Sequence, residues 1–162
     1  MKYDFINELG YLALATRLKR ISEAMVHSGR HMYKSLGMDI EPNWFLIFKL
    51  LMKYDQLSVT EMANKLHFSH PSVITMVNKM ELNGYLHSIQ DKVDTRKRLF
   101  SLSDRAIKEI PEFEKIWEAG TIGVQKLFAY DNHFLDLLES LEIQLSQSDF
   151  MQRTLNELKK DE

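Results

Sequence analysis

The chain has 162 residues with a net charge of −2, and its 44% hydrophobic share suits one folded domain with a core. It contains no cysteine, which excludes disulfides, thiolate catalysis and thiol-based oxidation sensing. No stretch approaches the roughly 18 unbroken apolar residues of a membrane span, and the N-terminus lacks the apolar run of a secretory signal, so we expect a cytoplasmic protein with no membrane partner.

The first part of the chain is predicted to form one long helix over about 35 residues. Apolar side chains recur there at three- and four-residue steps from Tyr11 to Leu36, and Gly37 is expected to end the helix. Pro42 then opens a second helix. The body of that helix, NWFLIFKLLMKY, is apolar nearly all round, which predicts that it is buried.

Two short helices are predicted next, joined by a tight corner. Ser58 and Glu61 have the spacing of a capping box, so the first short helix begins after Ser58. Ser69 caps the second, with Pro71 in its first turn, where a missing N–H costs little. Gly84 is expected to end it.

A β-hairpin and two more helices complete the chain. YLHSIQ and RLFSL contain β-forming residues and flank the polar DKVDTRK, which predicts a hairpin with a basic loop. Ser103 is expected to cap a long helix that runs to about Tyr130, in which Pro111 either causes a kink or marks a later start. After Asp131 and Asn132, one last helix is predicted to reach the polar tail.

Helix, tight turn, helix and hairpin are the elements of a winged helix-turn-helix. In this motif the second helix enters the major groove of DNA, and the wing reaches the backbone or the minor groove. Val73, Val77 and Met80 form the apolar stripe of that helix. Its other side carries short polar groups and one cation, which suit base edges and phosphates, although an ordinary solvated face is the alternative. The expected DNA contacts on this helix are Ser69, His70, Ser72, Thr75, Asn78 and Lys79.

The hairpin loop provides the second group of expected DNA contacts. Asp94 precedes Arg96 by two residues, so its carboxylate can hold the guanidinium in the orientation that a narrow minor groove requires. Lys97 is expected on the DNA backbone. An ordinary charged surface loop is the alternative. Residues 58–105 contain seven basic and five acidic side chains, whereas residues 106–162 contain six and twelve, so the global charge conceals a basic centre.

The stretch from residue 57 to 105 closely resembles the core of MarR-type (multiple antibiotic resistance regulator) transcription factors. Their pattern is roughly L-T-x-x-E-L-A, then S-x-x-x-V-T-x-x-V-x-x-L-E-x-x-G, then D-x-R before L-T. The matching residues are Ser58, Glu61, Ala63, Ser69, Val73, Val77, Met80, Glu81, Gly84, Asp94, Arg96, Leu102 and Ser103.

This resemblance implies a mostly α fold with a small β-hairpin wing, in which long N- and C-terminal dimerisation helices flank the winged helix-turn-helix core. It implies a single MarR-like domain over residues 1–162, with dimerisation helices in 1–40 and 106–162 and the DNA-binding core in 41–105. The implied protein is a homodimeric repressor on a palindromic operator in double-stranded DNA, relieved by a small aromatic or other organic effector. Apolar stripes on the terminal helices independently favour a dimer.

Three positions depart from the family pattern. Ile74 replaces a small polar residue, Thr75 replaces a common arginine, and Ser88 replaces a common basic residue. Each change removes a possible DNA contact. Ile74 either packs inward or touches a thymine methyl group.

Other sites are less well supported by the sequence. An effector pocket lined by Tyr11, His31, Trp44 and Phe48 is one interpretation, and plain core packing of the aromatic residues is the other. His27 and His31 are four apart on a helix, which suits a metal-responsive sensor, or simply two exposed histidines. We predict no resident metal and no cofactor. No catalytic motif is present, so an enzyme is not expected. A winged helix that binds proteins is the main alternative function.

Overall fold

The computed structural model describes residues 4–160, and these residues are mostly helical with one small antiparallel sheet. This confirms the predicted fold class. The helices are α1 (Phe5–Glu8), α2 (Leu14–Ser35), α3 (Phe45–Tyr54), α4 (Val59–Leu66), α5 (His70–Leu82), α6 (Asp104–Leu127), α7 (His133–Gln147) and α8 (Phe150–Leu158). The strands are β1 (Leu57–Ser58), β2 (Leu86–Gln90) and β3 (Arg98–Leu102), and single 3-10 turns span Gly10–Ala13 and Pro42–Trp44.

The N-terminal helix is not continuous, so the prediction of one long helix was wrong there. Gly10 has a φ of +54°, which ends α1 and begins the 3-10 turn before α2. The apolar spacing continues through this break, which is why the sequence pattern concealed it. The far end of α2 agrees with the prediction, since Gly37 adopts a φ of +73° just beyond it.

The winged helix core is built on a three-stranded sheet in the order β1-β3-β2. β3 pairs with β2 from Leu86 opposite Leu102 to Gln90 opposite Arg98, and with β1 through Leu57 opposite Phe100. The hairpin was predicted, whereas β1 was missed because two residues show no alternation. Helix α3 packs against β3, α4 against α5, and α5 against β2.

Side chains from α3, α5 and the sheet fill the core of the winged helix. Tyr85 is fully buried, and its ring meets Phe48 edge-on at 5.6 Å between centroids. The prediction that α3 is wholly buried was only partly right, because Phe45 is 40% exposed in the single chain. The side chains at 2% exposure or less include Ile47, Phe48, Leu51, Met62, Val73, Val77, Met80, Tyr85, Leu86 and Phe100.

The C-terminal helices differ from the prediction in one respect. Helix α6 begins after Ser103, whose Oγ accepts the Ala106 N–H at 3.1 Å, and Pro111 lies inside it rather than at its start. The predicted last helix is two helices, because Asp149 caps α8 by accepting the Gln152 N–H at 2.8 Å. The described chain forms two compact units that divide between Glu109 and Ile110. None of its helices over residues 4–160 combines the length and apolar character of a membrane span.

Candidate nucleic-acid interface

Cap chemistry fixes where α5 begins and ends. His67 turns the chain in the left-handed region at a φ of +52°, and Ser69 then caps α5 by accepting the Ser72 N–H at 3.4 Å. Pro71 occupies the first turn, as expected. At the other end, Gly84 has a φ of +74°. The helix therefore has thirteen residues with defined ends, which fixes the direction of each face.

The two faces of α5 are divided as the sequence predicted. Val73, Val77 and Met80 have no exposed surface and hold the helix on the core. The opposite face consists of exposed polar groups, and Ile74 is also 38% exposed, so this side chain does not pack fully inward. The exposed residues of the predicted DNA contact set on this helix and its cap are Ser69, His70, Ser72, Thr75, Asn78 and Lys79.

Some of these polar groups already have partners within the chain. Ser69 Oγ lies 2.7 Å from Ser72 Oγ, the His70 ring nitrogen lies 3.2 Å from Thr60 Oγ1, and Thr75 donates to the Pro71 carbonyl at 2.9 Å. Within residues 4–160, the side chains of Asn78 and Lys79 make no hydrogen bond or ion pair. Among the α5 contacts, the amide and the ammonium thus remain available to a partner.

The wing presents Arg96 on a fixed carboxylate. Asp94 Oδ1 accepts from both the backbone N–H and the Nε of Arg96, each at 3.2 Å, while the Arg96 side chain remains 90% exposed. Lys97 Nζ lies 3.9 Å from the other Asp94 oxygen. The Arg96 hydrogen bond lowers the pKa of Asp94. The carboxylate is therefore ionised at neutral pH and orients a guanidinium that points to solvent, the geometry expected from the D-x-R spacing.

A second acidic residue ties the wing to α5, and the sequence did not reveal this contact. Arg98 Nη2 donates to the two Glu81 carboxylate oxygens at 2.8 and 2.7 Å, and Ser88 donates to Glu81 at 2.6 Å. The Ser88 hydrogen bond and the Arg98 contacts lower the pKa of Glu81. The sequence placed Arg98 at the start of a predicted strand, and it indicated Ser88 only as a lost DNA contact. Both instead hold β2 and β3 against the last turn of α5.

A cleft separates α5 from the wing, and we call it the wing cleft. One wall is formed by His70, Ile74 and Asn78 at one-turn intervals along α5. The facing wall includes the successive cations Arg96, Lys97 and Arg98. This arrangement places predicted contacts from two separate parts of the sequence around one opening. The remaining lining residues are Ser58, Val59, Thr60 and Phe100.

Arg105 anchors the end of α5 to α6. Its guanidinium donates to the Asn83 carbonyl at 2.6 Å, to Asp39 and Tyr85 Oη at 2.9 Å, and to Glu109 at 3.0 Å. Tyr85 Oη in turn lies within hydrogen-bond distance of the Asp39 and Glu109 carboxylates, and its single proton is donated to one of them at a time. Burial, together with these carboxylates, raises the pKa of Tyr85 above its ordinary value. Burial alone would raise the pKa of Asp39, but the hydrogen bonds from Tyr85 and Arg105 outweigh it and lower that pKa.

The four residues of the expected effector pocket do not line one cavity in the described chain. Phe48 is fully buried in the core, Tyr11 is 94% exposed, and His31 is exposed on α2. Trp44 lines a shallow cleft of about 200 Å³, which we call the helix cleft. The helix cleft is lined by residues of α2, the turn before α3, and α5: Val26, Arg30, Glu41, Pro42, Asn43, Trp44, Ser72, Thr75, Met76 and Lys79.

The two histidines of α2 are close together. The rings of His27 and His31 have centroids 4.5 Å apart. Among residues 4–160, no three His, Cys, Asp or Glu side chains form a group that could hold a metal ion. The pair by itself therefore has no third ligand of these types.

Comparisons with known proteins give a family match within the winged helix and structural similarity over most of the chain. Residues 40–97 match the MarR family model, whereas the sequence has no significant match among curated proteins. The transcriptional regulator BldR from Sulfolobus solfataricus shares 20% identity at a TM-score of 0.64, covering 90% of this chain and 99% of that chain. S. aureus MepR in a DNA complex shares 19% identity at a TM-score of 0.65, and the match covers 82% of this chain and 96% of MepR. CouR bound to a 23-mer DNA duplex shares 21% identity at a TM-score of 0.66, and the match covers 85% of this chain and 96% of CouR.

Structural similarity at these identities establishes the fold. The family match adds the sequence evidence, and it covers the elements from the turn before α3 to Lys97 at the end of the wing loop. The helix caps, the Asp94–Arg96 pair and the Glu81–Arg98 pair all belong to this winged helix. Residues 40–97 therefore match the MarR family model, and the fold around them is the winged helix of the solved structures that it resembles.

Proposed function

We propose that this protein is a cytoplasmic transcriptional repressor that binds a palindromic operator as a homodimer. The observation that carries the proposal is the wing cleft, which is lined both by the free amide of Asn78 on α5 and by the Arg96 that Asp94 orients on the wing. Asn can bond bidentately to adenine in the major groove, and an oriented arginine suits a narrow minor groove. MepR and CouR, which share the fold, were solved with DNA bound.

In the proposed complex, α5 enters the major groove and the wing follows the neighbouring backbone. Lys79 and Lys97 neutralise phosphates, and the hydroxyls of Ser69, Ser72 and Thr75 reach phosphates or base edges. Because Glu81 holds Arg98 at 2.7 Å, the wing and α5 approach DNA as one rigid surface. This rigidity fixes the distance between the major-groove and minor-groove contacts.

The proposed dimer rests on apolar surface outside the winged helix. Tyr11 and Leu12 in the first 3-10 turn are 94% and 85% exposed, and Phe150 on α8 is 77% exposed. Tyr11 and Leu12 are neighbours in the sequence, and soluble monomers rarely leave large apolar side chains of this kind uncovered together. A second copy of the chain would cover them, and sedimentation equilibrium measures the resulting mass directly. A monomer at micromolar concentration would contradict this part of the proposal.

The deciding experiment is fluorescence anisotropy of the purified protein on two labelled duplexes over a salt series. One duplex comes from the region upstream of the protein's own gene, and the other is a scrambled copy. A preference of about 10³-fold or more is expected, with a logarithmic affinity that falls linearly with the logarithm of salt. If both duplexes bind equally weakly, random-sequence selection follows. Failure to enrich any sequence would favour a protein-binding winged helix.

We further propose that a small organic acid relieves this binding from the helix cleft. The cleft joins α2 to α5 and is lined in part by the predicted DNA contacts Ser72, Thr75 and Lys79, so an occupant there would compete with DNA for these side chains. Trp44 lines the cleft although it is only 3% exposed, and positive charge for a carboxylate comes from Lys79 and from Arg30, which Glu41 holds at 2.6 Å. The test is release of the labelled operator by a panel of aromatic carboxylates. Arg30→Ala should lose the response and keep DNA binding, whereas response in both proteins would place the site elsewhere.

A further inference from the structure

Ile74 is an exposed apolar side chain in an otherwise polar surface. The core already receives Val73, Val77 and Met80 from the other side of α5, each with no exposed surface. Ile74 lies between these residues in sequence but remains 38% exposed and opens into the wing cleft. Core packing therefore does not account for an isoleucine at this position.

The neighbours of Ile74 show what it would meet. His70 and Asn78 lie one turn before and one turn after it, and all three line the same wall of the wing cleft. The Asn78 amide has no partner in the part of the chain that the structure describes. The resulting stripe along the helix is polar, apolar, polar. A surface that matches it must place an apolar group between polar groups at a similar spacing.

We propose that Ile74 contacts the 5-methyl group of a thymine in each half of the operator and makes that thymine a specificity determinant. In the major groove, the 5-methyl group of thymine is the apolar group on the base edges. The other groups exposed there are hydrogen-bond donors and acceptors. Asn78 then reads an adjacent adenine, which can form bidentate bonds with an amide. This inference rests on the proposed function, because it assumes that α5 occupies the major groove.

The size of the effect follows from burial of one methyl group. Removing a methyl from an apolar contact costs about 0.8 kcal/mol, which corresponds to about fourfold in affinity. A two-fold symmetric operator contains the contact twice, so replacing both thymines should weaken binding by about 15-fold. Cytosine or adenine at the same position would also change hydrogen bonding, so only loss of the methyl isolates this contact.

The test combines a base change with a side-chain change. The operator is first defined by random-sequence selection with the full chain, and each thymine is then replaced by deoxyuridine, which keeps base pairing but lacks the methyl. One symmetric pair of substitutions should weaken the wild type by about 15-fold. Ile74→Ala should weaken binding to the unmodified operator by a similar factor and should show no further loss with deoxyuridine at that pair.

Leu82→Ala is the matched control. Leu82 is an exposed apolar residue on the same helix, 87% exposed, and it does not line the wing cleft. This variant should retain the full deoxyuridine effect. If Ile74→Ala retains it as well, or if no thymine responds in the wild type, the inference is overturned while the proposed regulator stands. If selection enriches no sequence at all, the proposed function and this inference both fail.

Discussion

Replacing Arg96 with alanine should weaken DNA binding and leave the fold intact. The side chain is 90% exposed, and its partner is Asp94 at 3.2 Å, so an exposed pair of this kind contributes little to folding. In the proposed dimer, the substitution removes two cations from the interface. Each neutralised phosphate contributes about 0.9 to the slope of log affinity against log salt, so the slope should become shallower by about 1.8.

The change in salt slope also predicts how much DNA affinity the Arg96→Ala variant loses. At about 0.1 M salt, a slope change of about 1.8 corresponds to roughly 60-fold weaker binding. Anisotropy over a salt series measures both quantities, and thermal unfolding checks that the melting temperature is unchanged. Lys19→Ala is the control, because Lys19 is also exposed and paired, at 3.7 Å from Glu23, but lies on α2. It should change neither the slope nor the affinity. An unchanged slope in Arg96→Ala would refute the assignment.

Asp94→Ala separates orientation from charge. Removing a carboxylate makes the wing more positive, so charge counting alone predicts tighter binding. If Asp94 instead serves to orient Arg96, through its bonds to the backbone N–H and Nε of that residue, binding weakens despite the added positive charge. The sign of the change in DNA affinity, measured at one salt concentration, decides between the two roles.

Three further predictions concern the fold that supports this surface. Tyr85→Phe removes the hydroxyl that donates to Asp39, and because the ring is fully buried we expect a loss of about 1.5 kcal/mol in urea unfolding. Glu61→Gln tests the capping box: the Ser58 hydrogen bond lowers the pKa of Glu61 below its ordinary 4.5, so its stabilisation is present above pH 4.5 and is lost as pH falls through the lowered pKa. The unfolding free energies of wild type and Glu61→Gln should therefore differ at pH 7 and converge near pH 3, and a constant difference would contradict this reasoning. Gly84→Ala places a Cβ at a φ of +74°, where space is available but the backbone conformation is unfavourable, so thermal unfolding should show a loss of about 1 kcal/mol.

Local chemistry made α5 predictable from sequence. The caps at Ser58 and Ser69 act within three residues of themselves, so their spacing alone located α4 and α5. Asp94 and Arg96 are two residues apart, and they form the contact that this spacing predicted. The assignment of these residues to DNA remains a prediction.

Contacts between distant residues were not predictable in the same way. Glu81 and Arg98 are 17 residues apart, and they meet only because the hairpin register returns β3 to the end of α5. The four residues of the expected effector pocket lie apart in the described chain for a related reason. Aromatic residues such as Phe48 and Tyr11 have similar chemistry, but burial in one case and exposure in the other depend on packing that the spacing does not determine. The break at Gly10 shows that an apolar pattern can continue through a change of backbone conformation.

The Arg105 contacts also bear on how the winged helix loses its structure. One guanidinium holds the end of α5 through the Asn83 carbonyl, the segment before α3 through Asp39, and the start of the wing through Tyr85. None of these segments can separate from α6 without breaking charge-assisted hydrogen bonds that the others share. Amide protons in α5, β2 and the first turns of α6 should therefore exchange through a common opening event rather than by independent fraying. Such cooperativity would mean that folding already orders the side chains and loops of this surface. Association with a partner would then cost little additional conformational entropy.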